Sequence, residues 1–423
     1  MRETMVLDHV HIASIFQIMK KVCDTICFND ENNKEGNISI LLQNLRIITV
    51  SSEVTTTLID DDLLYKVDRI RIAKSSIDSP TTYAIDSGCT NPITFANGTT
   101  MDVCHAGIAV IPPDFEIERY RSLTSVIYTP DVGITFPQFN WESYDYGYAR
   151  KSQIVLQKHS IQTRIPNTVH DIAIYYSESE HLKWILEKTQ PDKSDFIYMD
   201  GSVYPKQLMY WVVINSDDLP IRYDPLTTKI LQNYVDIVDY CIEKQVPLVG
   251  FVKNPAESQI IRSDLKKEID IWTNDTQMFR CLLDNLDSKE FITYTGWFHQ
   301  HRRLYGTSLS KASPLVGGNI KGTHQESDYD TVFFMIYIPV ENIVFKVESV
   351  YGLVKDPKIR DLITEKVLHD ISIDLSVPPA LQHADFVAKI SAKEKSKIYD
   401  MLGSMKLTTY NEKRWPEHYE DEV

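Results

Sequence analysis

The chain has 423 residues, 43% of them hydrophobic and 24% charged, a globular composition that argues against disorder and leaves room for two or three domains or one large domain with appendages. Its formal net charge of −15 counts against a protein that coats nucleic acid by bulk electrostatics, because phosphate binding relies on Lys and Arg displacing counterions. A local basic track is not excluded: positive charge gathers at Arg119 and Arg121, at Arg150 and Lys151, at Arg262, Lys266 and Lys267, and at Arg302-Arg303.

The six cysteines, Cys23, Cys27, Cys89, Cys104, Cys241 and Cys281, show no Cys-x-x-Cys spacing, so neither structural zinc held by thiolates nor a disulfide framework is expected. The N-terminus lacks the basic-then-apolar order of a signal peptide, and the longest apolar run, Val332 to Val340, is too short to span a bilayer. A cytoplasmic protein is expected.

From Met5 to about Phe28, Ile12, Ile15, Phe16, Met19, Val22, Cys23 and Ile26 recur at helical spacing and predict an amphipathic helix. The polar run from Asn29 to Asn37 breaks it. His9 and His11 lie two apart, so on a helix they cannot share a face as ligands. Residues 39 to 75 are mixed, with a short strand expected at Ile47–Val50 and a solvated surface at Asp60-Asp61-Asp62. Residues 1 to 75 are therefore expected to be an N-terminal extension that makes dimer or partner contacts, and residues 76 to 423 the main domain.

The α/β pattern begins at Thr82, where a β-favouring run enters Asp86-Ser87-Gly88. A loop through Asn97-Gly98 and a second strand over Met101–Ile111 continue a meander. Asp102 and His105 in that strand read as solvent-facing or locally satisfied. After a long tyrosine-rich stretch of poor periodicity, Ser177 followed by Glu178 and Glu180 predicts a helix start, with Leu182 and Ile185 facing the sheet.

That helix leads to Asp195–Asp200, a strand ending in Asp200-Gly201-Ser202. A helix over about Leu226 to Lys244 leads to a third strand, Val246 to Val252, which ends on Lys253. Helix, strand, helix, strand is α/β order. A helix near Thr276–Leu286, a Gly-rich turn at Gly317-Gly318, strands at Thr331–Val340 and Ile343–Glu348, and a helix after Pro378-Pro379 complete the reading. Trp297 to Tyr305 mixes aromatic and cationic groups, which suits base stacking with phosphate contact.

Aspartates at the ends of two strands, with a lysine at the end of a third, suggest a site for a divalent metal and an anionic substrate, most plausibly a phosphate. A meander whose first strand ends in aspartate, followed by a helix–strand unit ending in a second aspartate, is the order expected of an RNase H-like nuclease. There, acidic residues from separate elements hold two divalent ions across a scissile phosphate.

Several motifs together resemble the NurA family over about residues 76 to 400. They are Asp86-Ser87-Gly88, Asp200-Gly201-Ser202, Gly250-Phe251-Val252-Lys253, Phe345-Lys346-Val347-Glu348, and Pro378-Pro379-Ala380-Leu381-Gln382-His383-Ala384-Asp385. The resemblance implies an RNase H-like mixed sheet flanked by helices, DNA cleavage with Mn2+ or Mg2+, a homodimer, and a HerA-type hexameric ATPase as partner in resecting broken DNA ends.

By motif, the resemblance makes Asp86 and Asp200 metal ligands and gives Lys253 a phosphate contact. It also calls for a glutamate on the helix before Asp200. Glu178 fits best because it shares a face with Leu182 and Ile185, and Glu180 also fits the interval; the glutamate that is not a ligand reads as a first-turn acid favoured by the helix dipole. Two departures stand out. The family usually has Asp-Gly-Ser at the first motif, and it commonly has histidine where Asp385 stands, so Asp385 and His383 are both candidates for the last ligand. Arg302 and Arg303 are candidate DNA contacts. The alternatives are an actin-like or sugar-kinase-like ATPase, against which stands the absence of a P-loop or a glycine- and threonine-rich triphosphate wrap, and an inactive adaptor docking an ATPase ring.

Overall fold

A computed structural model describes residues 9–30, 42–75, 81–130, 140–157, 165–205, 208, 225–267, 272–284, 286, 290–301, 315–316 and 320–404. In chain order, helix α1 (His9–Asp30) precedes strands β1 (Ile47–Val50), β2 (Glu53–Leu58), β3 (Leu64–Asp68), β4 (Thr81–Cys89), β5 (Ile93–Thr94), β6 (Thr100–Ile111), β7 (Arg121–Thr129), β8 (Glu142–Tyr144) and β9 (Ala149–Gln157). Then come α2 (Ile165–Thr189), β10 (Asp195–Asp200), α3 (Pro225–Lys244), β11 (Leu248–Val252), α4 (Asp275–Asp284), β12 (Phe291–Thr295), β13 (Phe298–Gln300), β14 (Thr331–Ile338) and β15 (Ile343–Val350). Helices α5 (Pro357–Asp374), α6 (Pro379–Ala388) and α7 (Ala392–Ser404) follow. No helix among the described residues is long and apolar enough to cross a membrane.

All the described strands join one mixed sheet with the path β1-β2-β13-β14-β15-β11-β10-β4-β6-β7-β9-β8. Its centre is RNase H-like. Strands β4, β6 and β7 form an antiparallel meander, β10 lies parallel on the free side of β4, and β11 lies parallel beyond β10. The N-terminal strands are woven into the same sheet, β2 pairing with β13 and β3 with β12.

Period-two alternation builds the two faces. On β4, Tyr83 and Ile85 join one core with Val169, Ile172 and Leu182 of α2 and with Ile230, Tyr234 and Val238 of α3. Ala84 points the other way, into a core with Phe196, Tyr198, Phe251, Ile363 and Val367 of α5, and Leu381 and Ala384 of α6. Each fully buried aliphatic side chain here contributes roughly 1.5–3 kcal/mol by leaving water. A third core, with Phe279, Phe298 and Phe333 at its centre, packs α4 under the β13–β14 extension.

Three expectations need correction. Strand β4 does not end at Asp86: Ser87, Gly88 and Cys89 go on pairing with Ala106, His105 and Cys104 of β6. Helix α2 begins at Ile165 rather than Ser177, because Val169, Ile172, Ala173 and Tyr176 extend the buried face upstream. Trp297 to Gln300 do not form a stacking surface. Trp297 and Phe298 are buried, and the Trp297 indole donates to Thr364 Oγ1 at 2.9 Å.

Candidate active site

Strands β4, β10 and β11 run in the same direction, so their C-terminal ends share one edge of the sheet. Pairing of β4 with β10 reaches Ile85 opposite Met199, and one further step places Asp86 beside Asp200 on strands ~4.8 Å apart. Asp86 is therefore where β10 departs, although β4 itself continues along β6.

On the other side, Asp200 is in register with Phe251, and Lys253 lies just past the end of β11. Its Nζ donates to Asp200 Oδ2 at 2.5 Å. The turn after Asp200 needs glycine twice. Gly201 has φ +109°, and a Cβ on Gly250 would lie 2.7 Å from Gly201 O and 2.6 Å from Val203 N, so the chain leaving β10 folds directly over β11.

Glu178 reaches this edge from α2. It is buried and accepts a hydrogen bond from Ser87 Oγ at 2.6 Å, while Ser87 N donates to Asp86 Oδ1 at 2.7 Å. Ser87 is the residue that sequence reasoning passed over as a loop departure. Alternation turns its side chain to the α2 face of β4, opposite to Asp86, so one residue links the two carboxylates. Glu178 lies thirteen residues after the start of α2, which removes the helix-dipole explanation for it.

Glu180 belongs to a different cluster. Trp141 Nε1 and Asn233 Nδ2 donate to its carboxylate at 2.9 and 3.0 Å, and Lys229 lies 3.3 Å away. Burial pushes its pKa up, but Lys229 and these donors outweigh burial and hold it below the usual range. Its backbone carbonyl accepts from Arg150, whose guanidinium lies over Trp141 at 4.0 Å and Trp184 at 4.4 Å. Arg150 is thus a core cation, lowered to about 10 by burial, rather than part of a basic track.

Helix α6 brings Asp385 close enough to act electrostatically on Asp86, and the helix is held there by close contacts with β4 and β6. Cβ atoms on Gly88 and Gly107 would lie 2.5 Å from Ala388 O and 2.9 Å from Val387 Cγ1, and His105 Nδ1 meets Ala388 O at 3.0 Å. His383 is directed elsewhere, with Nδ1 3.6 Å from Glu118 Oε1. Arg302 and Arg303 lie outside the described residues.

The electrostatics follow from this crowding. Asp86 is pushed up to about 7, first by burial and then by Asp200 and Asp385, with Ser87 N and Lys253 opposing. Glu178 is raised well above the carboxylate range by burial and by Asp86 and Asp200, against the Ser87 hydrogen bond. Carboxylates that resist joint ionisation supply hard oxygen donors and a demand for positive charge, which fits a divalent cation such as Mn2+ or Mg2+.

No three of these four acids bring their oxygens within 4.8 Å of one another. Among the described residues, the two groups of side-chain donors that do so are Cys89, Asp102 and His170, and His299, His301 and Asp330. In the first, Asp102 is already engaged by Thr90 Oγ1 at 2.9 Å and His170 Nδ1 at 2.7 Å, and the Cys89 thiol is pushed up by its hydrogen bond to Cys104 and by burial. That group is a satisfied buried acid beside a protonated thiol.

No protein-family model and no curated protein matches the sequence. Among solved structures, the chain is similar to the NurA nuclease from Sulfolobus solfataricus, at 13% identity over 97% of this chain and 100% of that one, with a TM-score of 0.45. It is similar to NurA with manganese at 10% identity over 93% and 98%, with a TM-score of 0.45, and to NurA bound to dAMP and manganese at 11% over 93% and 96%, with a TM-score of 0.44. These likenesses concern the overall chain path, and nothing in the site depends on them.

Proposed function

We propose that the chain is a metal-dependent DNA nuclease that hydrolyses phosphodiester bonds at the edge formed by β4, β10 and β11. The observation that carries the reading is the convergence there of Asp86, Glu178 and Asp200, with Asp385 alongside, from two strands and two helices, and of Lys253 on Asp200.

Asp86, Asp200, Glu178 and Asp385 would hold Mn2+ or Mg2+. When bound in a two-metal arrangement, such ions activate the attacking water and stabilise the leaving oxygen. Lys253 holds Asp200 in position and offers its ammonium to a phosphate oxygen, where positive charge stabilises the transition state. Ser87 holds Glu178 and Asp86 in fixed relation. Arg302 and Arg303 are assigned to the DNA backbone on sequence grounds.

The biological role proposed is DNA end processing, in repair or in defence against foreign DNA, together with a HerA-type hexameric translocase. Helix α1 supports an assembly. Val10, Ile15, Phe16, Ile18 and Met19 are all more than half exposed, an apolar surface suited to homodimerisation.

The test is degradation of linear single- and double-stranded DNA with Mn2+, with and without the translocase, by the wild type and by Asp86→Ala and Asp200→Ala. Activity lost in both folded variants supports the nuclease. A folded wild type inactive with and without the partner points to the adaptor, and nucleotide hydrolysis by the chain alone, abolished by the same substitutions, would replace the nuclease with an ATPase.

A further inference from the structure

The second group of donors lies far from the carboxylates. Strand β11 starts at Leu248, at the end remote from Lys253. Continuing its antiparallel register with β15, where Gly250 faces Glu348, brings Leu248 to Val350, and Val350 faces Thr331 at the start of β14. Asp330 immediately precedes Thr331, so it sits at the opposite edge of the sheet from Asp86 and Asp200, with β14, β15 and β11 between β13 and β10.

Three local features converge on it. His299-Gln300-His301 runs along and just past β13, so alternation puts both imidazoles on one face. Strand β13 pairs with β14 with His299 opposite Val332, and the same register two steps on places His301 opposite Asp330. Their donor atoms all lie within 4.8 Å of one another, with His299 Nε2 2.9 Å from Asp330 Oδ2.

The surroundings orient these donors. The Tyr351 ring stacks on His299 at 4.1 Å and 9°, and Tyr351 N donates to the Asp330 carbonyl at 2.9 Å. His301 Nε2 meets Thr57 Oγ1 of β2 at 3.0 Å, and His301 N donates to Thr55 O at 2.9 Å. His299 and Asp330 are buried. Outer contacts that fix ring orientation and tautomer are what a metal-ligating imidazole requires.

We propose that His299, His301 and Asp330 form a second divalent-cation site, independent of the carboxylate edge, that ties the end of β13 to the start of β14, with β2 held to it through the Thr57–His301 hydrogen bond. Two imidazoles and one carboxylate are borderline donors that select zinc or a neighbouring first-row cation over magnesium or calcium. On binding, the cation replaces the hydrogen between His299 Nε2 and Asp330 Oδ2, and the His299 proton resides on Nδ1. Three protein ligands leave a fourth position for water. The clamp secures the junction between the N-terminal strands and the sheet, and His301 is followed in the sequence by Arg302-Arg303.

The experiment uses the full chain carrying Asp86→Asn and Asp200→Asn, so that the carboxylate edge does not contribute to binding. Zinc is titrated against a competing chelator, and cobalt is added as a visible-absorbing substitute. The expected result is one equivalent of zinc, a cobalt ligand-field band, and a melting temperature that rises with zinc. His301→Gln and Asp330→Asn, which keep a hydrogen-bonding group at each position, should weaken zinc binding at least ~100-fold and abolish the band. Absence of zinc binding and of the band in the parent, or unchanged zinc binding in folded His301→Gln, would overturn the proposal and leave these residues as a buried hydrogen-bonded pair beside a histidine capped by Thr57.

Discussion

Replacing Asp86 with asparagine should stabilise the metal-free protein at pH 8 while removing the proposed nuclease activity. The Asp86 carboxyl is buried at 8% exposure, and it is pushed from 3.8 to about 7 by burial, Asp200 and Asp385. A raised acid binds its proton more tightly in the folded chain than in the unfolded one. The contribution of Asp86 to stability is therefore most favourable below about pH 4, falls as pH rises through the window up to about 7, and carries the full cost above it.

At full effect that cost is about 4 kcal/mol, and local relaxation brings the expected gain for Asp86→Asn at pH 8 to about 2–4 kcal/mol. The asparagine Oδ1 still accepts from Ser87 N, so no hydrogen bond is lost. For a chain of this length each kcal/mol is worth roughly 1–2 °C, so calorimetry in a chelator should show a melting temperature about 5 °C higher at pH 8 and an advantage less than half as large at pH 5, vanishing only below about pH 4. Mn2+ should then stabilise the wild type, by about 2.7 kcal/mol at a hundred times its dissociation constant, and leave the variant unmoved. A variant less stable than wild type at pH 8, or an advantage that persists undiminished at pH 5, would refute the account of the crowded edge.

The two glutamates of α2 should separate cleanly. Glu178→Gln should lower DNA cleavage by about 10²–10³-fold with the melting temperature unchanged or raised, whereas Glu180→Gln should keep cleavage and lose about 1–2 kcal/mol with its Lys229, Asn233 and Trp141 contacts, read by denaturant titration. Gly88→Ala should cost about 1–3 kcal/mol and reduce activity, because the new methyl meets the Ala388 carbonyl and displaces α6 with Asp385. Arg150→Lys should destabilise by about 1–2 kcal/mol through loss of the guanidinium sandwiched between Trp141 and Trp184, with DNA binding unaffected in a gel-shift assay.

The central strands were legible because their apolar runs are short, end on charged residues and are separated by helices with clear periods. Strands β14 and β15 were legible for the same reason. Strands β7 and β9 were not: Ser122, Thr124, Ser125 and Ser152 interrupt their apolar alternation, and those positions pack against α2 or pair as polar neighbours across the meander. Helix α5 escaped because its apolar positions are spread among Lys358, Arg360, Asp361, Glu365 and Lys366, with no wide stripe.

At the site, Asp200 and Lys253 were readable from their own strands, since a turn glycine and a terminal lysine are local signals. Ser87 was not, because its link to Glu178 depends on which face of β4 it occupies. The His299–Asp330 pairing was equally hidden. It depends on the register between two strands that are thirty residues apart in the chain.

The seat of α6 has a temporal consequence. Asp385 is held over β4 and β6 by a helix made almost 200 residues after Asp200. At ordinary rates of synthesis, about 5–20 residues per second, the three inner carboxylates emerge some 10–40 seconds before the fourth. On the proposed function, a chain assembled in that order would complete its acidic site only when α6 docks, so its cutting power would arrive with the finished chain rather than with the partly made one.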